Sequence, residues 1–413
     1  MSKPLFIYLG RLYPPKMLST IVHDTRGKVG FSNHNFEQKL IDGLCQHTRD
    51  INLHIVSAPD CYSYPMHNHH PWIRAEHWEP TVGVLARSVG FCNIVGINKW
   101  TIPFNIYQEL HRIVEDCEKE QLVYIIVNTP ATNLLHAVNR LKKTYPNKIR
   151  VALIVPDIPA IVSIMYAHNP LERWILGILD KQNAALYSVV DTFVLLTEQM
   201  KELIPVGNKP YIIMEGLCNN AKKELPSLSI LGSHVISILY TGTLLRLFGI
   251  VDLLEAFSML PMDNVELWLC GRGDAVHEIQ KRAAVDPRIK YFGFLSPEKT
   301  DQLQQQADIL VNPRTNDGEY TKYSFPSKTM EYLLAGKPVV MHRLDGIPKE
   351  YDSFLLYPEN NSVAALSKML SNVVGLSNRE REKIGQRGRQ YVLKQKNAKL
   401  QTERIINLIM NNS

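Results

Sequence analysis

The stretch YTKYSFPSKTMEYLLAGKPVV, at residues 320–340, predicts a short helix with a marked beginning and a marked end. Pro326 suits the first helical turn, where its missing N–H costs nothing. From Met330 onward, apolar side chains recur at the spacing that places them on one helix face. Gly336 and Pro338 end the helix, and the apolar run that follows predicts a buried strand.

The start of this helix carries Ser327, Lys328 and Glu331 within one turn. A lysine is poorly placed there, because the N-terminus of a helix is already partly positive. A bound anion would resolve the conflict, since helix N-termini bind phosphate groups readily. The alternative is a solvated lysine that pairs with Glu331 at the i, i+3 spacing.

The segments SFPSK at 324–328, EYL at 331–333 and GKPVV at 336–340 resemble the donor-site motif of the family-four retaining glycosyltransferases. The bacterial polysaccharide-assembly branch is the most similar. In that family the helix start holds the diphosphate of a nucleotide-sugar, and the helix glutamate reaches the ribose hydroxyls. The resemblance implies that the donor contacts Ser324, Phe325, Pro326, Ser327, Lys328 and Glu331. It covers roughly residues 150–360 well and the first 150 poorly.

Length and composition fit two globular domains. The chain has 413 residues, of which 45% are hydrophobic and 21% charged, ordinary values for a soluble protein. No run approaches the roughly 20 apolar residues that span a bilayer, and the first residues lead into a strand-like run rather than a secretory signal. We therefore expect a cytoplasmic protein, with peripheral association at the cytoplasmic membrane face left open.

Charge and cysteine content exclude some classes of protein. The formal charge of +6 is mild and favours an anionic substrate or a membrane surface. Nucleic acid is not expected, because no basic block is interleaved with aromatic residues. The six cysteines form no Cys-x-x-Cys pair, which suits reduced thiols better than disulfides or a zinc site.

Short apolar runs alternate with helical patterns along the chain, which predicts parallel sheets with helices on both faces. We expect two doubly wound, Rossmann-like domains that face a cleft, the arrangement called GT-B, with a C-terminal helix. The predicted parts are an acceptor-side domain at 1–215, a linker at 216–234, a donor-binding domain at 235–385 and a helix at 386–413 that can cross back to the first domain. The predicted strands are 5–9, 53–57, 84–86, 123–127, 151–155, 192–196, 211–214, 235–240, 265–270, 289–292, 309–312, 338–341 and 354–356.

A glycine-bearing loop follows the first strand of the second half. Gly242 permits close approach of a ligand to the backbone, and the guanidinium of Arg246 could bind phosphate oxygens. The loop resembles the family loop that carries an arginine and a lysine for the diphosphate. Thr243 and Phe248 stand where the family has those two cations, so Arg246 is expected to replace both. The alternative is a solvated loop arginine.

Residues 269–274, LCGRGD, resemble the turn that lies beside the nucleotide in the family, which implies contacts from Gly271, Gly273 and Asp274. The Gly-x-Gly pattern alone is weak, and Val276 stands where a dinucleotide fingerprint needs a third glycine, so NAD is not predicted. A tight turn without a ligand is the alternative.

Residues 291–296, YFGFLS, resemble the family loop whose backbone meets the nucleotide base, which implies contacts from Phe294 and Leu295. A hydrophobic turn is the alternative. Many members of the family also have a glutamate where this chain has Tyr323. We expect Glu319, or less readily Asp317, to supply that sugar-contacting carboxylate, although acidic loop residues are usually only solvated.

The first half offers fewer signals. Gly30 lies in a loop, GKVGFSN, that resembles the first-loop glycines of the family only loosely. Asp157, in PDIP at 156–159, resembles a branch motif at a strand end and could bind acceptor hydroxyls; a turn or helix-cap aspartate is the alternative. The histidine-rich run 66–72 lacks metal-ligand spacing, and we expect no metal. Residues 171–181 could lie on a membrane surface, but a core helix is favoured.

The resemblance thus implies a retaining glycosyltransferase that moves a sugar from a UDP- or GDP-sugar to a growing, lipid-linked glycan, without a cofactor. Lys328 and Arg246 would stabilise charge on the leaving diphosphate, and Asp157 and Glu319 would act on the acceptor and the sugar. Two alternatives remain open: a nucleotide-sugar epimerase of the same fold, and a non-catalytic partner subunit.

Overall fold

The computed structural model describes residues 3–158, 185–219, 235–316 and 319–412, except for the side chains of residues 319 and 320. Residue contacts divide the chain into two units. The first comprises Met1–Leu217 and Asn397–Ser413, and the second comprises Cys218–Lys396. The predicted segment 171–181 and most of the predicted linker 216–234 lie outside the described residues.

The first unit contains an eight-stranded sheet with a doubly wound core. Its strand order is β10-β9-β8-β7-β1-β2-β5-β4, and every neighbouring pair is parallel except β4 with β5. All the side chains of the central strands β1 and β7 are buried, as continuous apolar runs predict. The strands are β1 (Leu5–Gly10), β2 (Asn52–Ser57), β4 (Glu76–Trp78), β5 (Leu85–Ser88), β7 (Val123–Asn128), β8 (Ile149–Val155), β9 (Thr192–Leu195) and β10 (Tyr211–Ile213), with β3 (Trp72–Ile73) and β6 (Phe91–Cys92) in a separate antiparallel pair.

Helices cover this sheet, and the end of the chain is one of them. The described helices of the first unit are α1 (Pro15–Asp24), α2 (Phe31–Leu44), α3 (Asn98–Glu115), α4 (Thr132–Thr144) and the last helix, Ala398–Met410. The last helix packs tightly on α2. A Cβ built on Gly43 of α2 would lie only 2.5 Å from the backbone oxygen of Ala398. The interval 386–413, expected as one helix, thus contains the end of Asn378–Gln395 and all of Ala398–Met410.

The second unit contains a five-stranded parallel sheet in the order β13-β12-β11-β14-β15. Its strands are β11 (Ile236–Thr243), β12 (Val265–Arg272), β13 (Ile289–Tyr291), β14 (Ile309–Asn312) and β15 (Val339–Met341). Its described α-helices are α5 (Ile250–Ser258), α6 (Val276–Ala283), α7 (Pro297–Gln306), α8 (Ser327–Ala335), α9 (Val363–Val374) and α10 (Asn378–Gln395). The predicted α/β class with two doubly wound, Rossmann-like sheets is confirmed.

Some local predictions differ from the structure. Residues 354–356 form only a single bridge, between Leu356 and Val340, because a 3-10 helix runs to Ser353 and leaves little length for a strand. The sequence analysis missed α1, the three-residue strand β4 and the two-residue strands β3 and β6. These strands are too short to show alternation. None of the helices in the described ranges is both long and apolar enough to cross a membrane.

Candidate functional site

The carboxyl edge of the second sheet holds the predicted donor residues. β11 lies between β12 and β14, so the connections leave it in opposite directions at this point. In open α/β sheets ligands bind at the carboxyl ends of the strands where this reversal occurs. Gly242 lies at the end of β11, Gly271 near the end of β12, and helix α8 follows β14. These distant parts of the sequence meet within one unit.

Lys328 lies against the end of β11. A Cβ built on Gly242 would lie 2.1 Å from both Cε and Nζ of Lys328, and Gly242 has a φ of +129°, which side-chain-bearing residues rarely adopt. A glycine is therefore required for the lysine to pack here. In the described part of the chain, no carboxylate pairs with Lys328, so the pairing with Glu331 considered for the sequence does not occur.

The start of α8 has no side-chain cap. Pro326 occupies the N-cap, one position before the first turn that the sequence predicts, and gives no side-chain hydrogen bond to the helix. The first turn contains no acidic residue. The N–H groups of a first turn lack intrahelical partners, and the helix dipole adds positive charge to the ammonium group of Lys328. Gly336 ends the helix with a φ of +74°, as predicted.

A buried hydrogen-bond network fixes α8 against β11. The hydroxyl of Tyr332, the residue after Glu331, accepts a hydrogen bond from the backbone N–H of Thr241 at 2.9 Å. Gln304 Nε2 donates to Thr241 Oγ1 at 2.9 Å. Tyr332 is fully buried, and burial raises the pKa of its hydroxyl well above the usual value. This network sets the distance between Lys328 and the turn at Gly242.

The glycines at the end of β12 are required by packing. A Cβ on Gly271 would lie 1.7 Å from the backbone oxygen of Gly242, and one on Gly273 would lie 2.1 Å from that of Leu244. Asp274 Oδ1 accepts a hydrogen bond from the backbone N–H of Arg246 at 2.8 Å. The turn predicted from LCGRGD therefore holds the loop that carries Arg246.

The side chain of Arg246 remains accessible. It is 53% exposed, and its Nη2 lies 3.8 Å from Glu278 Oε2, whereas Arg282 Nε lies closer to the same carboxylate group, at 3.2 Å. Phe294 is exposed and Leu295 half-buried; the Arg272 guanidinium lies 4.7 Å from the centre of the Phe294 ring. Sequence reasoning named the motif that contains Arg272 but gave this cation no role.

Two of the residues before the helix have protein partners. Phe325 is buried, with its ring centre 5.4 Å from that of Tyr351, so its side chain belongs to the core. Ser324 Oγ accepts a hydrogen bond from Arg314 Nη2 at 3.1 Å. Ser327 is exposed and Glu331 half-buried. These positions leave Ser327, Lys328 and Glu331 as the accessible side chains at this end of α8.

The expected sugar-contacting carboxylates cannot be placed. Glu319 begins a 3-10 helix, Glu319–Tyr323, but its side chain lies outside the described part of the structure, as does all of Asp317. Tyr323, which stands at the position of the family glutamate, is buried. Tyr323 therefore presents a mostly covered ring where the resemblance leads one to expect an accessible carboxylate.

The predicted acceptor residues lie in the first unit. Gly30 forms the N-cap of α2, and its N–H donates to the Tyr13 hydroxyl at 3.2 Å. Asp157 follows β8 and is accessible to solvent, yet protein atoms crowd around it, and their desolvation raises the pKa of its carboxyl group to about 6. Asp157 is thus an accessible carboxyl group whose pKa lies above its ordinary value.

Glu37 is a buried carboxyl group that the sequence analysis missed. It lies below the end of β1, where it accepts hydrogen bonds from the backbone N–H of Arg11 at 2.9 and 3.0 Å and from the Tyr8 hydroxyl at 3.1 Å. Burial raises its pKa to about 7, although these donors and the Asn128 side chain oppose the rise. A signal existed: Glu37 stands three residues before Leu40, on the buried stripe of α2.

Backbone strain marks the neighbouring strand end. Thr129, directly after β7, has a φ of +77°, which is a true outlier for a β-branched residue. Such conformations persist where surrounding structure enforces them, often at functional sites. The Thr129 N–H donates to the Ile154 oxygen at 3.0 Å. Together with Glu37, this places tightly constrained groups at the carboxyl edge of the first sheet.

This pair of doubly wound units defines the GT-B class of fold, and comparison with known proteins agrees. Residues 236–374 match the family model described as Glycosyl transferases group 1. Sucrose-phosphate synthase from Thermosynechococcus elongatus has a similar structure, with 12% identity, a TM-score of 0.66, and coverage of 99% of this chain and 100% of that chain. Among curated proteins, none matches the chain.

Two other solved structures show the same fold. An α,α-trehalose-phosphate synthase (UDP-forming) from Burkholderia xenovorans, in complex with glucose-6-phosphate, has 11% identity, a TM-score of 0.61, and coverage of 98% of this chain and 100% of that chain. TarM has 9% identity, a TM-score of 0.60, and coverage of 98% of both chains. At these identities the similarity shows the fold alone, while the family match covers the donor-side residues Gly242, Lys328 and Glu331.

Proposed function

We propose that this protein is a retaining glycosyltransferase that moves a sugar from a nucleotide-diphosphate donor to a growing, lipid-linked glycan. The position of Lys328 carries the proposal. Its ammonium group lies against Gly242 beside an uncapped helix start, and it has no carboxylate partner in the described ranges. A diphosphate supplies the missing negative charge. The match of residues 236–374 to Glycosyl transferases group 1 supports this class of reaction.

The donor is a UDP- or GDP-sugar in this proposal. Lys328, Arg246 and the first N–H groups of α8 stabilise the charge that develops on the leaving diphosphate. Each charge-assisted hydrogen bond contributes about 1.5–3 kcal/mol. Glu331 binds the ribose hydroxyls, and the loops at Gly271 and Phe294 approach the nucleoside. The side chains supply the positive charge, so the reaction needs neither a metal ion nor a cofactor.

The acceptor side depends on the first unit. Asp157 is the accessible carboxyl group at the end of β8 and binds acceptor hydroxyls in this proposal, with Gly30 in the neighbouring first loop. Glu319 provides the carboxylate that contacts the transferred sugar. In the retaining reaction, the acceptor hydroxyl attacks from the face that the diphosphate leaves, and the departing phosphate takes the hydroxyl proton.

Thermal unfolding in the presence of UDP, GDP, ADP and their sugars tests the donor half of the proposal. A ligand that binds only the native state raises the apparent melting temperature. The nucleoside diphosphate of the donor should therefore raise the melting temperature more than the corresponding nucleoside monophosphate does. NMR of the transfer product then reports the anomeric configuration. Isomerisation of the donor without any acceptor would favour an epimerase, and nucleotide binding without any turnover would favour a partner subunit.

A further inference from the structure

The first unit exposes large apolar side chains on three segments, 15–28, 61–72 and 94–105. Trp100 is 80% exposed, which is unusual for a residue with so large an apolar surface. The other exposed apolar residues of these segments include Leu18, Val22, Met66, Trp72, Ile97 and Phe104. Monomeric proteins seldom leave contiguous patches of this kind in water unless the patch binds something.

Hydrogen bonds join the three segments into one surface. The Arg26 guanidinium donates to the Met66 oxygen at 3.4 Å, which connects the first segment to the second. The Asn98 side chain donates to Ser63 Oγ at 2.9 Å, which connects the second to the third. We call these three segments the apolar–basic surface.

The exposed side chains lie in stripes rather than singly. Ile97, Trp100 and Phe104 follow the i, i+3, i+7 spacing at the start of α3, so they project from the same side of the helix. Leu18 and Val22 follow the i, i+4 spacing on α1, whose only buried residue is Ile21. Both helices therefore present an apolar stripe to solvent.

The same surface is basic. Asp24 is the single carboxylate within the three segments, and it already has hydrogen bonds with Thr20 and with His70. The basic side chains of these segments are Lys16, Arg26, Lys28 and Lys99, all exposed. A second copy of this chain would present the same positive charge, which disfavours self-association through this surface.

We propose that the apolar–basic surface binds the surface of an anionic lipid bilayer, with Trp72 and Trp100 at headgroup depth. Tryptophan is favoured at the membrane–water interface. Lysine and arginine near the surface attract anionic lipids. Amphipathic helices with this combination lie in the interface plane without crossing it. This binding does not depend on the transferase reaction, although it would bring the enzyme to a lipid-linked acceptor.

Co-sedimentation of the full chain with vesicles tests the proposal, without donor or acceptor present. Vesicles of phosphatidylcholine mixed with phosphatidylglycerol should retain the protein several-fold better than phosphatidylcholine alone, and added salt should weaken the retention. Trp100→Ala and Val22→Asp should each lower retention several-fold. Val285→Asp is the matched control, because Val285 is an exposed valine in the second unit, at 84% against 53% for Val22.

Charge-reversal variants test the same proposal independently. Lys99→Glu should lower retention on anionic vesicles, and Lys281→Glu, which changes the net charge equally in the second unit, should not. Circular dichroism shows which variants remain folded, and retention is compared only among the folded variants. Equal retention of wild type on both vesicle types would overturn the proposal. So would equal losses in both members of each matched pair, or a wild-type dimer that Trp100→Ala dissociates.

Discussion

Each of the two sheets has a point at which its strand order reverses. The groups near these two points have opposite charge types: an ammonium group in the second unit and a carboxyl group in the first. In the second unit, the ammonium group of Lys328 lies at a glycine turn without a carboxylate partner in the described residues. In the first unit, the corresponding edge contains the carboxyl group of Glu37, which accepts hydrogen bonds from Tyr8 and from the Arg11 backbone. A satisfied buried group serves structure, whereas an unpaired charge at an uncapped helix start is available to a ligand.

The largest effect should follow removal of the unpaired charge. Lys328→Ala should lower kcat/KM for sugar transfer by about 10²–10³, because in the proposed reaction it removes a cation that stabilises the leaving diphosphate. Steady-state kinetics checks this. Lys337→Ala is the matched control, since Lys337 is a half-buried lysine just beyond the other end of the same helix. Equal losses in both variants would show that the two ends of the helix do not differ in function.

Displacement of the same charge should have a smaller effect. Gly242→Ala places a methyl group 2.1 Å from the present position of Lys328 Nζ and strains a backbone with a φ of +129°. The lysine can swing aside, so we expect a loss in kcat/KM of about 10–100-fold, within the range for a misplaced group. Nucleotide titration calorimetry should show weaker binding too. An unchanged affinity would contradict the close approach of a ligand at this turn.

Arg246 should contribute less than Lys328. Its side chain is half exposed and lies 3.8 Å from Glu278, so solvent and this carboxylate weaken its attraction for phosphate. Arg246→Ala should raise the KM for donor by roughly ten-fold, equivalent to about 1.4 kcal/mol. Arg282→Ala, which removes the closer partner of Glu278, should leave the KM near its wild-type value. A reversed order of these two variants would assign the phosphate contact elsewhere.

Glu37 should affect stability rather than donor binding. Burial raises its pKa from 4.5 to about 7, so between these values the native state binds more protons than the unfolded state. The contribution of Glu37 to the free energy of unfolding is therefore most favourable below about pH 4.5. It declines as pH rises toward 7, by on the order of 3 kcal/mol. Glu37→Gln should lack this decline. Urea unfolding of both proteins across that pH range measures the difference, and parallel curves would contradict the raised pKa.

The sequence was sufficient for features with local causes. The helix Ser327–Ala335 was predicted because its turn residues and apolar spacing lie within a few residues of one another, and only the position of Pro326 differed by one. The contact between Lys328 and Gly242 could not be predicted, because tertiary packing alone brings those segments together. The hydrogen bonds of Glu37 could not be predicted either, because its partners, Tyr8 and Arg11, lie outside α2; only its place on the buried stripe of that helix was visible in the sequence.

The resemblance to a family also assigned donor contacts to two side chains that the structure shows packed against or hydrogen-bonded to protein. Phe325 lies inside the core against Tyr351, and Ser324 has Arg314 as a partner. A motif in a sequence shows which residues occur together but does not distinguish side chains that contact a ligand from those that support the loop. In the structure, Ser327, Lys328 and Glu331 are the side chains at this end of α8 that remain accessible to a ligand.

A crystal structure with the diphosphate nucleotide that gives the largest thermal shift tests the central claim most directly. The account predicts phosphate oxygens within hydrogen-bond distance of Lys328 Nζ and of the first backbone N–H groups of Ser327–Ala335, beside Gly242. A diphosphate bound elsewhere, with Lys328 paired to a carboxylate of the protein, would contradict it.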